Sequence, residues 1–578
     1  MLAFRLPALG CSGGGLLRRP GGAAAAVGLV ALATYIMTLG YDFAFDDHSV
    51  IPVGWQLGAV SPLEVLGAPV RADTIVLPYY RPLTALTYWL DGFLWHGNPG
   101  GFHLTNVLLH ALVSVLVLEV ARRLLPAGPA PLLAGLLFAV HPVHVEAVAW
   151  VQGRVDLLSA AGILLALLLG LAGAEAAGGR RVLCWAASAL AFLLALLAKE
   201  VAVVAPLLTA VVLAGQPSRG GFRRVEECRP LFGLQGLALL LYLGLRTTAL
   251  GSPALGILGG PPLGDRVLLA LRVIPVYLRL LLWPVGLNPK HAVAPPSGFL
   301  DGDVLMGALL LAGLGALGLT WGRRVPGLAT GLAWLALAWL PVSNLIPIPA
   351  FVVAERYLYL SSGGFCIALA GAAASVMALG GRWRGALVAT ATALLLTLAG
   401  LAAAQAGLWR DPRTFYEGLV RRNPNSALAH NGIGAVYLDL GEEARAEEEF
   451  REALRLHPGQ TAALNNLGIL AQRRGDLAEA RRLYQQALAA RPNQAEVWNN
   501  LGSLYEAEGD LARAAAAYGE AVRLDPAIPL FMANLAGVLT AQGRRQEAAR
   551  LLEQAIRLDP TVPRWRAALA TLRTDGKP

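Results

Sequence analysis

The side chains with chemistry to offer are charged and polar residues that collect at the ends of long apolar runs. After an apolar run at 22–40 comes YDFAFDDHSVI, with Asp42, Asp46, Asp47 and His48, and the same polar stretch contains PYYRPL with Arg81. The segment FHLTNVLLH spaces His103, Asn106 and His110 so that they share one helical face. HPVHVEAVAWVQGRVD carries His141, His144, Glu146, Arg154 and Asp156; Lys199–Glu200, NPKH at 288–291 and Glu355–Arg356–Tyr357 follow. Ionisable groups within membrane segments are costly and mark function by default. Each also has a plainer reading. His141, His144 and Glu146 are metal-ligand types, but Pro142 spoils the helical pair and no third ligand is obvious, so no metal is expected. Lys199–Glu200 could be a snorkelling turn, and Arg356 could pair with Glu355 or cap a helix. His103 and His110 read better as packing or hydrogen-bonding residues than as catalysts. Asp46 and Asp47, adjacent to each other beside a bilayer surface, need a cationic partner or a task, and a task is the favoured reading.

The elements that position these residues follow from composition. The 578 residues hold 47 basic and 38 acidic side chains, a formal net charge of +9; 56% are hydrophobic and only 15% charged, where soluble chains carry about 25% charged residues. The average conceals a break near Trp409. Residues 409–578 contain 22 basic and 21 acidic side chains, about a quarter of that stretch, whereas the part before it is only about 10% charged. Disorder, a collagen, a disulfide scaffold and a single soluble fold are excluded. Four cysteines without CxxC or regular spacing (Cys11, Cys184, Cys228, Cys366) indicate neither zinc nor a disulfide framework. Lys199, Lys290 and Lys577 are the only lysines, a bias that, with the abundant Ala, Gly and Arg, suggests a GC-rich, bacterial coding sequence.

A spanning helix needs about 20 mostly apolar residues. Eleven runs qualify: 22–40, 102–121, 129–149, 156–174, 182–198, 201–214 (short), 231–250, 303–321, 326–346, 357–379 and 385–407. The first follows Arg18 and Arg19 and reads as an uncleaved anchor rather than a signal peptide. Arginine pairs at 122/123, 180/181 and 323/324, the cluster within 219–229 and Arg382/Arg384 are expected to face the cytoplasm. The run 267–286 contains Arg272, Pro275, Arg279 and Pro284. If it crossed, every later arginine pair would change sides, so it is expected to be interfacial or re-entrant. This predicts a cytoplasmic segment at 1–21, a polytopic domain at 22–408 with a long external loop at 41–101, and an external tail at 409–578. The surplus of positive charge is an orientation signal, with no nucleic-acid partner implied.

The tail repeats every 34 residues. Pro424, Pro458, Pro492, Pro526 and Pro560 keep this step, as do Gly441, Gly475, Gly509 and Gly543, and Ala446, Ala480, Ala514 and Ala548. Phe450, Tyr484, Tyr518 and Leu552 occupy an in-phase large position. This is the tetratricopeptide pattern of paired antiparallel helices: a half-repeat, four repeats and a closing helix from about 561. Such a solenoid by default binds an extended peptide or partner. Asn466, Asn500 and Asn534 recur in phase, and their amides could grip a peptide backbone through both donor and acceptor. The asparagine ladder of O-GlcNAc transferase looks similar. The alternative is that they only bond between repeats.

Together, FDDHSVI, YYRPLTALTYWLD, NPGGFHLTNVLLHALVSVLV, HPVHVEAVAWVQGRVDLLSA, LLAKEVAVVAPL and ERYLYLSSGG, followed by the repeats, resemble the transmembrane and TPR repeat-containing protein O-mannosyltransferases from about residue 25 onward. The chain departs from the animal members in having fewer repeats, as a bacterial relative would. The resemblance implies an all-α fold: a GT-C-type membrane bundle of about 11 spans followed by a TPR α-solenoid. It also implies a polyprenyl- or dolichyl-phosphate-linked sugar as donor, protein Ser/Thr hydroxyls as acceptor, and an essential acid in the first external loop, where Asp46 and Asp47 lie. One of these two would be the base, with Arg81, Arg154, Lys199 and Arg356 as candidates for the lipid phosphate. His144 would bond donor or acceptor, and Asn466, Asn500 and Asn534 would hold acceptor polypeptide. No cofactor is firmly implied and no divalent metal is expected. The expected setting is a bacterial inner membrane with the tail on the periplasmic side, or the endoplasmic reticulum with a lumenal tail in a eukaryote. Two other readings remain: a non-enzymatic membrane scaffold, and a transferase acting on lipid or glycan acceptors.

Overall fold

The computed structural model describes residues 20–45, 47, 71–72, 75–76, 79–216, 221–250, 261–289, 291, 293–347, 351–380, 383–526, 528–559 and 562–574. Asp46 and His48 lie outside the described residues. The chain forms two compact units: one of residues 1–41, 80–84 and 99–407, the other of 42–79, 85–98 and 408–578.

The first unit is a helical bundle. In lipid every backbone donor and acceptor must be satisfied within the segment, which leaves helices as the solution for such apolar runs. Among the described residues eight helices are long and apolar enough to span: Gly21–Gly40, Pro99–Leu124, Val151–Glu175, Gly178–Ala198, Arg229–Leu250, Gly302–Trp321, Ser361–Ala378 and Arg384–Trp409. A bent pair, Pro129–Val140 with Pro142–Ala149, and two shorter apolar helices, Glu200–Gly215 and Leu328–Val342, match the remaining three expected runs. Small residues let helices approach closely. A Cβ on Gly331 would lie 2.5 Å from the Gly364 carbonyl oxygen, so only glycine fits that crossing.

Several helices break where the polar motifs fall. The bent pair turns by 49° within the apolar run 129–149, where the motif HPVHVE begins. Pro142 has no N–H to donate and forces the residue before it out of the helical region; His141 accordingly has φ −69° and ψ 124°. Lys199 is extended (φ −160°, ψ 139°) between Gly178–Ala198 and the turn that follows. Trp150 is extended between Val145–Ala149 and the next turn. The segment expected at the interface is the helix Leu263–Leu282, with Pro275 inside it. It buries Val273, Ile274, Tyr277, Leu280 and Leu281 and is not among the helices long and apolar enough to span.

In the second unit, four helix pairs follow Pro412–Arg422: Ala427–Asp439 with Glu443–Leu456, Thr461–Arg473 with Leu477–Ala490, Ala495–Ala507 with Leu511–Leu524, and Pro529–Ala541 with Arg545–Leu558. Pro563–Thr574 closes the array. The in-phase glycines end each first helix with φ between +77° and +80°, the left-handed cap conformation that disfavours a Cβ. Ala446, Ala480, Ala514 and Ala548 are fully buried beside Phe450, Tyr484, Tyr518 and Leu552. Segment 42–45 joins this unit through Asp42 N–H donating to the Arg410 carbonyl at 2.9 Å, and through the Phe45 ring 5.3 Å from Phe415. Arg71–Ala72 pairs antiparallel with Ile75–Val76.

Candidate active site

The helix breaks of the first unit bring cations and acids together. Arg81 donates to Glu200 Oε2 through Nη2 at 2.9 Å and Nε at 3.3 Å, and Arg246 reaches the other oxygen at 3.3 Å. One residue earlier, Lys199 Nζ donates to Asp156 Oδ1 at 2.5 Å. Arg356 bonds Glu146 through its guanidinium and, at 2.9 Å, through its backbone N–H. These pairs form one neighbourhood: Arg81 bonds the residue next to Lys199 in the chain, and Tyr357 lies 5.8 Å from Lys199 Nζ and 5.1 Å from the Arg356 guanidinium. Trp150 and Phe351 place their rings 5.2 and 5.0 Å from the same guanidinium, contacts that favour a cation. Beside this group, Glu355 accepts from the Asn288 N–H and lies 3.2 Å from His291 Nε2.

Three of the four residues expected to hold a donor phosphate, Arg81, Lys199 and Arg356, therefore meet. Arg154 and His144 have other engagements. Arg154, fully buried, donates to Asn106 Oδ1 at 2.9 Å and the Phe102 carbonyl at 2.8 Å. Asn106 in turn donates to the carbonyls of Val148, Trp150 and Val151, clasping the broken stretch after the bent pair. His144 is buried with Nε2 2.8 Å from Ser362 Oγ, while His141 Nε2 lies 3.0 Å from the Leu281 carbonyl. His110 bridges Tyr359 OH and the Ala139 carbonyl. Among the described residues no group of three or more His, Cys, Asp or Glu side chains is arranged to hold a metal ion.

Glu146, Asp156 and Glu200, visible in the motifs but given no role, prove to be the direct partners of the three cations. Arg246 was missed inside the apolar run 231–250; a lone cation in such a run needs a partner, and that signal would have found it. In the second unit, Asp47 is buried and its carboxylate accepts from the Ala44 N–H at 3.1 Å, closing the turn in which Phe45 has φ +59°. The asparagine ladder bonds between repeats: Asn466, Asn500 and Asn534 donate to Asn431, Asn465 and Asn499 at 3.1, 2.9 and 2.8 Å. These bonds use amide donors and place a continuous row of side-chain amides across successive repeats.

An array of apolar helices with a charged cluster at their breaks, followed by helical repeats, defines a multi-pass membrane protein with tetratricopeptide repeats. The tetratricopeptide repeat family matches residues 397–461, 465–529 and 505–572. The chain is also related in sequence to curated proteins named protein O-mannosyl-transferases. It is 34% identical over 387 residues to TMTC3 of Mus musculus, covering 59% of this chain and 41% of that protein. It is 30% identical over 488 residues to Mus musculus TMTC4, covering 74% and 65%. With Drosophila melanogaster Tmtc1 it shares 29% identity over 529 residues, covering 74% and 60%. The chain thus spans less than two thirds of the length of these relatives.

Proposed function

We propose that the chain is a relative of these enzymes in activity as well as in sequence: a membrane glycosyltransferase of GT-C type that moves a sugar, mannose by the resemblance, from a polyprenyl- or dolichyl-phosphate-linked donor to Ser or Thr hydroxyls of proteins. The observation that carries this reading is the meeting of Arg81, Lys199 and Arg356 at breaks between apolar helices. A lipid-borne phosphate needs such a place, with planar arginine forks and a lysine point charge beside hydrocarbon. In an inverting transfer the acceptor oxygen bonds to the anomeric carbon as the bond from that carbon to the phosphate oxygen breaks. The hydroxyl proton passes to a carboxylate, assigned to Asp46 or Asp47, and the lipid phosphate departs as an anion held by the cations. The repeats would present acceptor polypeptide, with the amides of Asn466, Asn500 and Asn534 as contacts. Arg154 and His144 are assigned to hold the surrounding turns in place. The setting we assign is a bacterial plasma membrane with the repeats on its outer side.

A scaffold reading has one observation in its favour: each cation of the cluster already has an acidic partner, as in a purely structural network. Reconstituting the full chain with polyprenyl-phosphate mannose and an acceptor polypeptide separates the two. We expect Asp46→Asn or Asp47→Asn to lower kcat, and Lys199→Met to raise KM for the donor. Full transfer by both aspartate variants would refute the base assignment. A wild-type chain inert with every lipid-linked sugar would favour the scaffold.

A further inference from the structure

The first unit contains an apolar cavity of about 420 Å³ between the helix Leu263–Leu282, the span Gly302–Trp321 and the short helix Leu328–Trp339. Its wall is made narrow-sided but roomy by small residues, Gly315 and Gly318 on one side and Ala329 and Ala333 on the other. Two lining leucines, Leu311 and Leu319, are 48% and 86% exposed, so the cavity opens at the outer surface of the bundle. In a membrane that surface meets hydrocarbon. The lining also includes Leu358, which belongs to the same turn, Glu355–Leu358, as Arg356. Lining residues Tyr277 and Leu281 share a buried cluster with Tyr357, the ring beside both Lys199 and Arg356. Apolar groove and cationic cluster are therefore joined by continuous packing.

We infer that this groove holds the isoprenoid chain of a lipid phosphate whose head lies at Arg356 and Lys199; the inference rests on the donor class proposed above. The arrangement suits an amphiphile with a slender tail and a phosphate head, since the groove is continuous in packing with a turn that carries a cation of the cluster. Small residues on both walls leave width for the methyl branches of an isoprenoid. A two-chain phospholipid would leave its second chain outside the groove.

The test fills the groove in the full-length protein, purified in detergent. A Cβ at Gly315 would meet nothing within 4 Å, and one at Gly318 would meet only Leu332 Cδ1 at 3.7 Å, an ordinary contact. Gly315→Leu and Gly318→Leu should thus fold while putting side chains where the tail would run; Ala333→Leu enters from the opposite wall. Gly313, also without neighbours for a Cβ and not part of the lining, supplies the control Gly313→Leu. Binding of undecaprenyl phosphate and of dimethylallyl phosphate, whose tail is a single isoprene unit, is measured by native mass spectrometry, alongside melting curves. Each methylene kept from apolar burial weakens binding roughly fourfold. The filled variants should therefore bind undecaprenyl phosphate at least about tenfold more weakly, a displacement of two or more methylenes. Dimethylallyl phosphate should bind all variants alike, and Gly313→Leu should behave as wild type. Unchanged undecaprenyl phosphate binding in the filled variants, or equal loss in the control, overturns the groove assignment. Equal competition by phosphatidate overturns the single-chain occupant. Sugar transfer that proceeds unaltered in the filled variants defeats the groove alone. Chain-length-dependent binding without any transfer by the wild type defeats the enzymatic reading alone.

Discussion

Replacing Glu146 by Gln tests whether the charged cluster is a pre-formed anion site or a closed structural network. Glu146 has a side chain 1% exposed and accepts from both the guanidinium and the backbone N–H of Arg356, itself 11% exposed. The amide keeps the shape but removes the countercharge, leaving Arg356 among Trp150, Phe351 and Tyr357 with its charge uncompensated. Breaking a buried pair from one side costs about 3–5 kcal/mol. Arg356 keeps some exposure of its own, so we expect a loss at the lower end of that range, about 3 kcal/mol. That corresponds to a fall in melting temperature on the order of 5 °C. If the site takes a lipid phosphate, the ligand replaces the missing charge, and undecaprenyl phosphate should raise the melting temperature of Glu146→Gln more than that of wild type. Scanning fluorimetry of the detergent-purified chain, with and without the ligand, reads both effects. A variant as stable as wild type would refute the burial argument. A destabilised variant gaining no more from the ligand than wild type would refute the anion-site argument.

The repeats offer three further tests. Asn500→Ala removes the 2.9 Å bond to Asn465, a buried residue left with an unsatisfied acceptor; the expected cost is about 1–3 kcal/mol in denaturant melts. A loss of acceptor-peptide binding that persists at temperatures where Asn500→Ala is fully folded would add a contact role to the structural one. Gly468→Ala would put a Cβ 2.5 Å from the Tyr484 ring, and overpacking of about 1–3 kcal/mol should outweigh the roughly 1 kcal/mol gained in helix propensity; a variant more stable than wild type would contradict this. Hydrogen bonds from Arg455, Arg482 and Arg523 hold the carboxyls of Glu452, Glu479 and Glu520 below their usual range. A depressed acid stabilises above its unfolded pKa and loses that contribution as pH falls through its folded one, so repeat helicity should become less heat-resistant from about pH 4.5 downward; circular dichroism melts that do not change there would refute it.

Local patterns made much of this architecture legible. The step of 34 residues located every repeat helix pair, because each Gly, Ala and aromatic position has a fixed job in the turn or the packing, as Gly475, Ala480 and Tyr484 illustrate. The apolar runs each correspond to a spanning, bent or short apolar helix. The bend at His141 was less legible. Pro142 was visible, but a composition window of about 20 residues averages over one proline and carries no bend angle.

The site was legible as a set of residue types and opaque as a set of partnerships, for a physical reason. A charge within an apolar stretch announces that it must be compensated, yet the compensating group comes from wherever tertiary packing delivers it. Glu200 is adjacent to Lys199 in the chain, but it binds Arg81 and Arg246, while Lys199 takes Asp156 from another helix. Glu355 likewise turns to Asn288 and His291 and leaves Arg356 to Glu146. Neighbours in sequence thus point apart at both turns, which follows from their extended or tight-turn backbone at Lys199 and Glu355–Leu358. This crossing of pairs ties six chain segments, at residues 81, 146–156, 199–200, 246, 288–291 and 355–356, into one cluster. It also means that no cation depends on its own helix for compensation, so an anion arriving among Arg81, Lys199 and Arg356 can share several donors without unfolding any single turn.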